Sequence, residues 1–524
     1  MSSIICRIQP LPPGSQNAVK LPLPLMKEWG CQPGQSIRLR VGGKSLITRI
    51  VPTPRKQRVI LLPRSMAAQL SLPFYGETRV SFQKRELSLG PVLAILTTGF
   101  QGAGASPFGA RSGLYRLFLQ ASKGDRPFFY IFTPEMVNWN RQVINGWFYR
   151  RDSSGSYRWI RKAAPFPDVV YERVPNRKAE SQIQVQECKK RLQAISRTHF
   201  FNQGFFNKWK VHEAIYNHPL TVDCIPESRR SPSLETVQEM LDRHKMVYLK
   251  PSGGSLGLGI FRITQIPQGG YYCRFRIGNQ NILRQYRSLR PLMQQIFGAR
   301  MKRLPNYLVQ QGIRLIKYQG RPVDFRVHMH KDRTGQWKVV AIGAKVAGIG
   351  SVTTHGRTGG SLLSTSELLK QCFSSKSAEV EERIRNTSVR ICTALENRVG
   401  GPLGELGLDI GVEKNGKVWL FEANSKPLRF DETSIRKKAQ ERIITYARAL
   451  VQRELGAPAL QEPAQRLWSL WSNGSTFTGG TGATGPASVA GPASVAGSGT
   501  TPASAPAPAH RRPPSPRLGI LRSG

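Results

Sequence analysis

The strongest constraint on the fold is a glycine-rich loop between two stretches that have the character of β-strands. Residues 250–263 read KPSGGSLGLGIFRI, and VYL precedes them. The pattern predicts a strand from Met246 to Lys250 and a second from Gly259 to Thr264. Walker loops and dinucleotide fingerprints both open a helix, and a Walker lysine follows its glycines. Neither pattern fits, so two interpretations remain: a hairpin that covers a phosphate with its backbone N–H groups, and an ordinary glycine-rich turn.

Length and charge set the next limits. The chain has 524 residues, 39% of them hydrophobic, and this length favours roughly three or four domains. Its 77 Lys and Arg against 32 Asp and Glu give a net charge of +45, which favours nucleic acid, an anionic polymer or an acidic protein surface as surroundings. The excess is spread along the chain, and no zinc finger, RNA-recognition signature or basic zipper accompanies it. Nucleic-acid binding is therefore an alternative that we do not favour.

The sequence predicts a cytoplasmic protein. No run of about 18 apolar residues is present, so we expect no membrane-spanning helix. The first residues, MSSIICRIQPLPPG, lack the basic and apolar regions of a secretory signal. The seven cysteines are scattered and form no CxxC pair, which indicates reduced thiols and no zinc site.

Composition and periodicity divide the chain into four parts. Short apolar runs between Pro and Gly turns come first, followed by a strand, helix and strand pattern that is typical of a parallel α/β unit. The last part repeats GPASVA and has too little apolar surface to fold. We predict a small β-rich N-terminal domain at 1–88, an α/β domain at 89–204, a third domain at 205–458 with a phosphate loop at 250–263 and a metal hairpin at 406–427, and a disordered Gly/Ala/Ser/Pro-rich tail at 459–524.

The metal hairpin is predicted from an oxygen-rich cluster. In LGLDIGVEKNGKVWLFEANSKP the turn at KNG brings Asp409 opposite Glu422 and Asn424, which are two residues apart and share a face. Two carboxylates and an amide oxygen, without Cys or His, suit Mg²⁺, with Mn²⁺ as an alternative. Such residues often lie on a solvent-facing surface instead, but here their flanks are apolar, and buried carboxylates need a partner.

The order of these features resembles that of the ATP-grasp superfamily, in which two α+β subdomains clamp ATP. Lys250 and its loop come first, then VQQGI at 309–313, DFR at 324–326 and the Asp, Glu and Asn hairpin. Longer segments, among them VNWNRQVINGWFYR, VYLKPSGGSLGLGIFRI and DFRVHMHKD, resemble the YheC/YheD family of endospore coat-associated ATP-grasp proteins. The resemblance runs from about residue 90 to 455. It implies an ATP-grasp fold in the α+β and α/β class, with a pre-ATP-grasp α/β domain before two α+β subdomains.

The resemblance also implies roles by matching position. Arg326 resembles the arginine that stabilises a transferring phosphate, and Lys345 occupies the position of a second cation in related ligases. Asp409, Glu422 and Asn424 resemble the Mg²⁺ ligands. Many superfamily members have glutamate in the hinge where this chain has glutamine, which leaves adenine selectivity open. The residues that would bind ATP are Lys208, Lys250, Ser252, Gly253, Gly254, Ser255, Gly257, Gly259, Gln310, Gln311, Gly312 and Ile313.

The function that the resemblance implies is an ATP-dependent ligase that joins a carboxylate to an amine or a related nucleophile through an acyl-phosphate. The sequence identifies neither substrate. A structural or morphogenetic spore protein that keeps the fold, with or without ATP binding, is the alternative, and the low-complexity tail and positive charge suit it. Association with the endospore coat would place the protein in the mother cell, near coat or anionic envelope components.

Overall fold

The computed structural model describes residues 3–12, 17–54, 57–152, 154–252, 259–354, 359–399, 401–427 and 433–456. All of them belong to one unit of the chain, residues 1–474. The tail predicted at 459–524 lies outside the described residues. So do residues 253–258 of the predicted phosphate loop, which include the predicted ATP-binding residues Gly253, Gly254, Ser255 and Gly257.

The N-terminal part is a closed barrel of seven strands. Its elements are β1 (Ile4–Pro10), β2 (Val19–Pro22), α1 (Leu23–Trp29), β3 (Ser36–Val41), β4 (Lys44–Thr53), β5 (Val59–Leu62), α2 (Arg64–Gln69), β6 (Gly76–Gln83) and β7 (Glu86–Leu89). The strands close in the order β1-β5-β2-β4-β3-β7-β6. Side chains alternate between the two faces of each strand. In β6 every second residue, Thr78, Val80 and Phe82, is buried on the inner face.

A seven-stranded mixed sheet follows. Its elements are β8 (Val92–Leu96), α3 (Ser112–Ala121), β9 (Phe128–Phe132), β10 (Val137–Asn138), β11 (Val143–Arg151), β12 (Tyr157–Pro165), β13 (Val169–Glu172), α4 (Arg177–Glu180), α5 (Ile183–Gln193) and β14 (His199–Phe201). The strand order is β10-β11-β9-β8-β13-β14, with β12 on β11. β8 and β9 are parallel, are joined by α3, and are buried at every residue, so the predicted parallel α/β unit is confirmed.

The third sheet contains the predicted glycine-loop hairpin. It follows α6 (Lys208–Tyr216), whose buried Val211 and Ile215 pack in the core of the fourth sheet. The elements of the third sheet are β15 (Ser228–Arg230), α7 (Leu234–His244), β16 (Met246–Pro251), β17 (Phe261–Gln265), β18 (Tyr271–Ile277), β19 (Gln280–Tyr286), α8 (Leu289–Phe297) and β20 (Tyr307–Gln311). The strands are ordered β15-β20-β16-β17-β18-β19 and are antiparallel. Ser233 caps α7 by accepting from Thr236 N at 3.2 Å, and Val237 and Leu241 bury the inner face of this helix.

The fourth sheet combines two predicted hairpins. Its elements are β21 (Lys317–Tyr318), β22 (Arg321–Lys331), β23 (Trp337–Val346), β24 (Ser361–Leu363), α9 (Thr365–Phe373), α10 (Ser377–Val399), β25 (Glu405–Val412), β26 (Val418–Asn424) and α11 (Thr433–Gly456). The strand order is β24-β23-β22-β25-β26, with β21 on β22. Helical spacing explains why α10 packs here, since Val380, Ile384, Ile391 and Leu395 form one buried stripe. None of the described helices is long and apolar enough to cross a membrane.

Candidate functional site

A cleft of about 850 Å³ lies between the third and fourth sheets. Side chains of β16 and β20 line one wall, and those of β22, β23, β25 and β26 line the other. Small-molecule sites usually have volumes of about 300–1,000 Å³, so the cleft is large enough for a nucleotide. The predicted site residues that line it are Lys208, Lys250, Ser252, Gln310, Gln311, Ile313, Arg326, Lys345, Asp409, Glu422 and Asn424.

Strand register brings the predicted catalytic pair against two carboxylates. Asp324 and Arg326 are two residues apart on β22 and therefore share a face. Asp324 is opposite Lys345 on β23, and Arg326 is opposite Asp409 on β25. Nζ of Lys345 lies 2.9 Å from Asp324 Oδ1 and 2.8 Å from Asp409 Oδ1. Nη1 of Arg326 lies 3.2 Å from Asp409 Oδ2. Three adjacent strands thus build one charged row.

The two carboxylates of this row have pKa values displaced in opposite directions. Burial raises the pKa of Asp324, and the charge of Asp409 adds to the rise although Lys345 opposes it. Burial also favours a higher pKa for Asp409, but Arg326 and Lys345 outweigh it and hold that pKa below its ordinary value. The Thr354 hydroxyl donates to Asp324 Oδ2. Asp409 is consequently the more firmly anionic of the two groups.

Two residues of β26 continue the same row. Asp409 is opposite Glu422 in the β25–β26 register, and Asn424 follows on the same face. Nζ of Lys208, at the start of α6, lies 3.3 Å from Glu422 Oε2. With its amide oriented to satisfy both atoms, Asn424 donates to Glu422 Oε1 at 3.1 Å and accepts from Arg326 Nη1 at 3.1 Å. The predicted metal ligands therefore lie beside the predicted catalytic pair.

The donor chemistry of this trio fits a hard cation. Asp409, Glu422 and Asn424 offer two carboxylates and an amide oxygen, and they are neighbours across one pair of strands. The described residues contain no group of three or more His, Cys, Asp or Glu side chains arranged to hold a metal. A cation held by this trio would take its other ligands from water or phosphate oxygens, which is the usual behaviour of Mg²⁺.

Lys250 faces this row from β16, on the opposite wall. Its Nζ donates to Oε1 of Gln310 and lies 5.7 Å from the ring centroid of Tyr248 and 5.8 Å from that of Phe421. Within the described residues no carboxylate forms an ion pair with Lys250. Burial, followed by the charge of Lys208, lowers the pKa of Lys250 to about 8. A desolvated ammonium group without a carboxylate is suited to an anionic ligand.

The predicted adenine hinge runs from the end of β20 into the next segment. Oε1 of Gln311 accepts from the backbone N–H of Glu227 at 3.1 Å, so its amide is turned towards a neighbouring chain segment. Gly312 does not line the cleft, and its N–H donates to the carbonyl of Met246 at 2.8 Å. A Cβ at Gly312 would lie 2.6 Å from Met246 Cγ, which explains the glycine by close approach of the backbone. Ile313 is buried and lines the cleft.

The two described ends of the glycine loop are held by backbone geometry. Ser252 donates its N–H to the carbonyl of Asn306 at 2.9 Å and lines the cleft. Gly259 has φ +70°, a left-handed value that favours glycine, and its Cβ position would lie 3.1 Å from Pro251 Cγ. Gly259 does not line the cleft, so its place in the fold is explained by the turn back into β17.

Two charged residues near the site were not among the predicted site residues. Asp324 contacts Lys345, and the signal for it was present, because DFR places a carboxylate two residues before Arg326 on a strand. Lys426 borders the cleft, yet its ammonium group contacts Glu172 of β13, and the Lys426 side chain is only 3% exposed. A pairing between residues 254 positions apart leaves no local sequence signal.

Lys426 belongs to an enclosed group of two acidic and two basic side chains. Its Nζ lies 3.6 Å from Glu180 Oε1 and 4.3 Å from the ring centroid of Phe205. Lys189 of α5 lies 2.7 Å from Glu172 Oε2 and 3.7 Å from Glu180 Oε1. Burial would raise the pKa of Glu172, but Lys426 and Lys189 together lower it. This group joins the second sheet to the residues that follow β26.

The cleft lies between two sheets that are each packed with helices. One wall carries a lysine, and the other carries a row of carboxylate, arginine and amide side chains. This arrangement is that of an ATP-grasp protein. Residues 197–450 match the model of the YheC/D-like ATP-grasp family. Over 379 residues the chain is 34% identical to endospore coat-associated protein YheD of Bacillus subtilis strain 168, covering 71% of this chain and 80% of YheD. Endospore coat-associated protein YheC of the same strain is 23% identical over 294 residues, covering 56% of this chain and 79% of YheC.

The chain therefore belongs to the YheC/D-like ATP-grasp family, and the predicted resemblance and fold class are confirmed. The solved structures to which the chain is similar include D-alanyl-alanine synthetase A from Vibrio cholerae O1 biovar eltor str. N16961. It is 11% identical, with a TM-score of 0.39, and the comparison covers 70% of this chain and 99% of that one.

Proposed function

We propose that this protein is an ATP- and Mg²⁺-dependent ligase that joins a carboxylate to an amine or a related nucleophile. One observation carries the proposal: Lys250 faces the row formed by Arg326, Lys345 and Asp409 across a single nucleotide-sized cleft. Family membership supports ATP as the nucleotide, because the superfamily is typically made up of ATP-dependent ligases. The arrangement offers positioning and charge neutralisation, which are the main requirements of phosphoryl transfer.

The nucleotide would bind along the wall formed by β20 and β16. Backbone groups at the end of β20 would read the adenine, and the amide of Gln310 is already held by Lys250 and by the Ser228 hydroxyl. Lys250 and Lys208 would contact the phosphates. The lowered pKa of Lys250 suits this role, since Glu422, Asp409 and Asp324 only partly offset its burial and an anionic ligand would supply a directly paired counter-charge.

The metal would bind at Asp409, Glu422 and Asn424 on the opposite wall. Mg²⁺ held there would supply positive charge that neutralises the phosphate groups. Glu422 would have to exchange its contact with Lys208, and Asp409 would have to share its oxygens with Lys345 and Arg326. All of these contacts lie on one face of the sheet, so the exchange needs side-chain movement rather than a change of fold.

Arg326 and Lys345 would stabilise the transferring phosphate. The carboxylate substrate attacks the terminal phosphorus of ATP, and the bond to ADP breaks to give an acyl-phosphate. The nucleophile then attacks the acyl carbon and releases phosphate, with one proton lost from the amine. No nucleophilic side chain is required in these two steps, and Arg326 and Lys345, which now pair with Asp409, would stabilise the negative charge that develops.

A second candidate function follows from the family relatives. YheD and YheC are both named endospore coat-associated proteins, so a coat-associated protein that binds ATP without turnover is the alternative. We propose association with the endospore coat in either case. Release of ADP that depends on adding spore or envelope extract would favour the ligase, and mass spectrometry of the mixture would identify a new amide.

Nucleotide binding by purified variants tests the assignment of the cleft. We expect Lys250→Ala and Glu422→Ala to weaken Mg-ATP binding by about 10- to 100-fold, the usual effect of losing one charged contact. Lys338→Ala is the control, because this lysine lies on β23 with Lys345 but is exposed to solvent. Titration calorimetry gives the affinities. Wild-type affinity in both cleft variants would overturn the proposed site.

A further inference from the structure

The part of the chain that forms most of the third sheet contains no acidic residue. Between Asp242 and Asp324 the sequence has fifteen Lys and Arg and neither Asp nor Glu. This segment supplies β16 to β20, one wall of the cleft. Although the positive excess extends along the whole chain, this segment supplies fifteen of the 45 net charges. The cations on this wall have no carboxylate on strands β16 to β20 with which to pair.

Within this wall two arginines face each other directly. Arg262 of β17 is opposite Arg274 of β18 in the antiparallel register, and Tyr248 of β16 is opposite Arg262 on the other side. Opposed side chains on neighbouring strands have Cβ atoms about 4.5–5.5 Å apart, and like charges in such a pair are destabilising. A fold that keeps this pair needs a compensating partner.

The described residues do not supply that partner. Nε of Arg262 and Nε of Arg274 are both buried without a hydrogen-bond acceptor, and no carboxylate in the described part of the chain pairs with either guanidinium. Nη1 of Arg274 donates to the carbonyl of Gly350 at 3.1 Å, which is its one neutral contact there. Burial, followed by the charge of Arg262, lowers the pKa of Arg274, as expected for two cations held together.

The pair lies on a continuation of the line that the nucleotide would follow. Gln310 is on β20 and Lys250 is on the next strand, β16, so the line runs across the sheet from the hinge towards β17 and β18. Neighbouring strands are about 4.8 Å apart, which places the arginines roughly 5–10 Å beyond β16. Arg262 lines the cleft, and Arg274 reaches Gly350, next to Ser351 of the cleft lining.

We propose that Arg262 and Arg274 form an oxyanion subsite of the cleft. Two guanidinium groups provide planar, fixed donors that match a phosphate or a carboxylate. Two sources of that oxyanion are available, the terminal phosphate of the nucleotide and an acidic group of the second substrate. The assignment of these sources rests on the proposed function, whereas the existence of an anion site rests only on the arginine pair.

The first test uses stability without nucleotide. Arg262→Gln and Arg274→Gln should melt at the same or a higher temperature than wild type in low salt, because each removes a like-charge contact. Inorganic pyrophosphate should raise the melting temperature of wild type, and its affinity should fall about 10- to 100-fold in both variants. Arg276→Gln is the matched control, since Arg276 lies on the same strand but is held by Gly278 O and Asn279 Oδ1.

The second test separates the two sources. A terminal-phosphate site predicts that Arg274→Gln weakens binding of a non-hydrolysable ATP analogue but leaves ADP binding unchanged. A substrate site predicts unchanged binding of both nucleotides and weaker binding of a short oligoglutamate peptide. Lower stability of both variants in low salt, with no change in any anion affinity, would overturn the proposal. Lys250→Ala reports on nucleotide binding independently of the two arginines. A wild-type protein that binds pyrophosphate but no nucleotide would refute only the proposed function.

Discussion

Two clusters, each with two acidic and two basic side chains, differ in their access to solvent. The cleft cluster consists of Asp324, Arg326, Lys345 and Asp409, and the enclosed cluster consists of Glu172, Glu180, Lys189 and Lys426. In the cleft, the Lys345 and Asp409 side chains are 19% and 16% exposed. In the enclosed cluster, the Lys426 and Glu172 side chains are 3% and 0% exposed. The two clusters therefore have the same balance of charges but differ in how close those charges are to water.

This difference separates a structural role from a binding role. The enclosed charges satisfy one another, and a ligand cannot reach Glu172 without opening the contact between β13 and the residues after β26. In the cleft, Arg326 and Lys345 can transfer their contacts from Asp409 to a bound oxyanion, because that side of the row is open. Partial exposure is thus the property that permits exchange of partners.

The largest effect is expected in the enclosed cluster. Lys426→Met removes one of the two ammonium groups that contact Glu172 and leaves that carboxylate buried with incomplete compensation. Breaking a buried pair from one side usually costs about 3–5 kcal/mol, and we expect a loss in this range. Urea denaturation monitored by circular dichroism measures the free energy of unfolding.

Two further variants sharpen this result. Lys345→Met makes the same change in the cleft cluster, where Asp409 keeps Arg326 and Asp324, whose pKa burial already raises, can take up a proton, so we expect a smaller loss of about 1–2 kcal/mol. Lys426→Met combined with Glu172→Gln should recover part of the loss, since it leaves no uncompensated carboxylate. Equal losses for Lys426→Met and Lys345→Met would show that the two clusters do not differ in the way proposed.

An intermediate effect is expected from the pH dependence of nucleotide binding. The pKa of Lys250 is lowered from 10.5 to about 8, so its ammonium form declines as the pH rises through 8. Phosphate binds the ammonium form and not the neutral amine, so affinity should fall with rising pH, by up to about tenfold per unit above 8. Calorimetric titrations with a non-hydrolysable ATP analogue measure this affinity between pH 7 and pH 10. The proton concentration changes about 10³-fold over this range.

Lys250→Arg is the control, because a guanidinium remains charged throughout this range. Its affinity should be independent of pH from 7 to 10, whatever its absolute value. A wild-type affinity that does not change up to pH 10 would show that the ammonium of Lys250 is not needed for binding or retains its proton in the cleft.

Local sequence pattern predicted the hairpins of the site. The two-residue spacing of Glu422 and Asn424 and the turn at KNG were sufficient to place Glu422 opposite Asp409 and Asn424 on the same face of the hairpin. The glycine loop between β16 and β17 was also predicted, because glycines between two apolar runs leave few alternatives. In each case the strands are consecutive in the chain, so the turn fixes the register.

Long-range pairing was not predictable in the same way. The register of β22 with β25 joins Arg326 to Asp409 across more than eighty residues, and the closure of the barrel pairs β1 with β6. Lys426 shows the problem most clearly, since its partner Glu172 lies on another sheet. Such contacts depend on how complete sheets pack, and one short sequence motif contains no information about that.

The smallest effect is expected at the rim of the cleft. Lys208 and Glu422 form an ion pair at 3.3 Å with side chains 37% and 33% exposed, and such pairs stabilise proteins by about 0–1 kcal/mol. Asn207 caps α6 without help from the Lys208 side chain, and a cation in the first turn opposes the helix dipole. Lys208→Ala should therefore change the free energy of unfolding by less than about 0.5 kcal/mol.

The same variant connects the rim to Lys250. The charge of Lys208 is one cause of the lowered pKa of Lys250, after burial, so Lys208→Ala should move the pH at which nucleotide affinity declines to a value above 8. Calorimetric titrations over the same pH range detect the shift, and Lys210→Ala on the same helix is the control. A large loss of stability would show that Lys208 has a structural role like that of the enclosed charges, despite its exposure. An unchanged pH profile would show that its charge does not act on Lys250. The expected result, near-neutral stability with a displaced profile, would show that a rim charge acts on the ligand site through the field it exerts on Lys250.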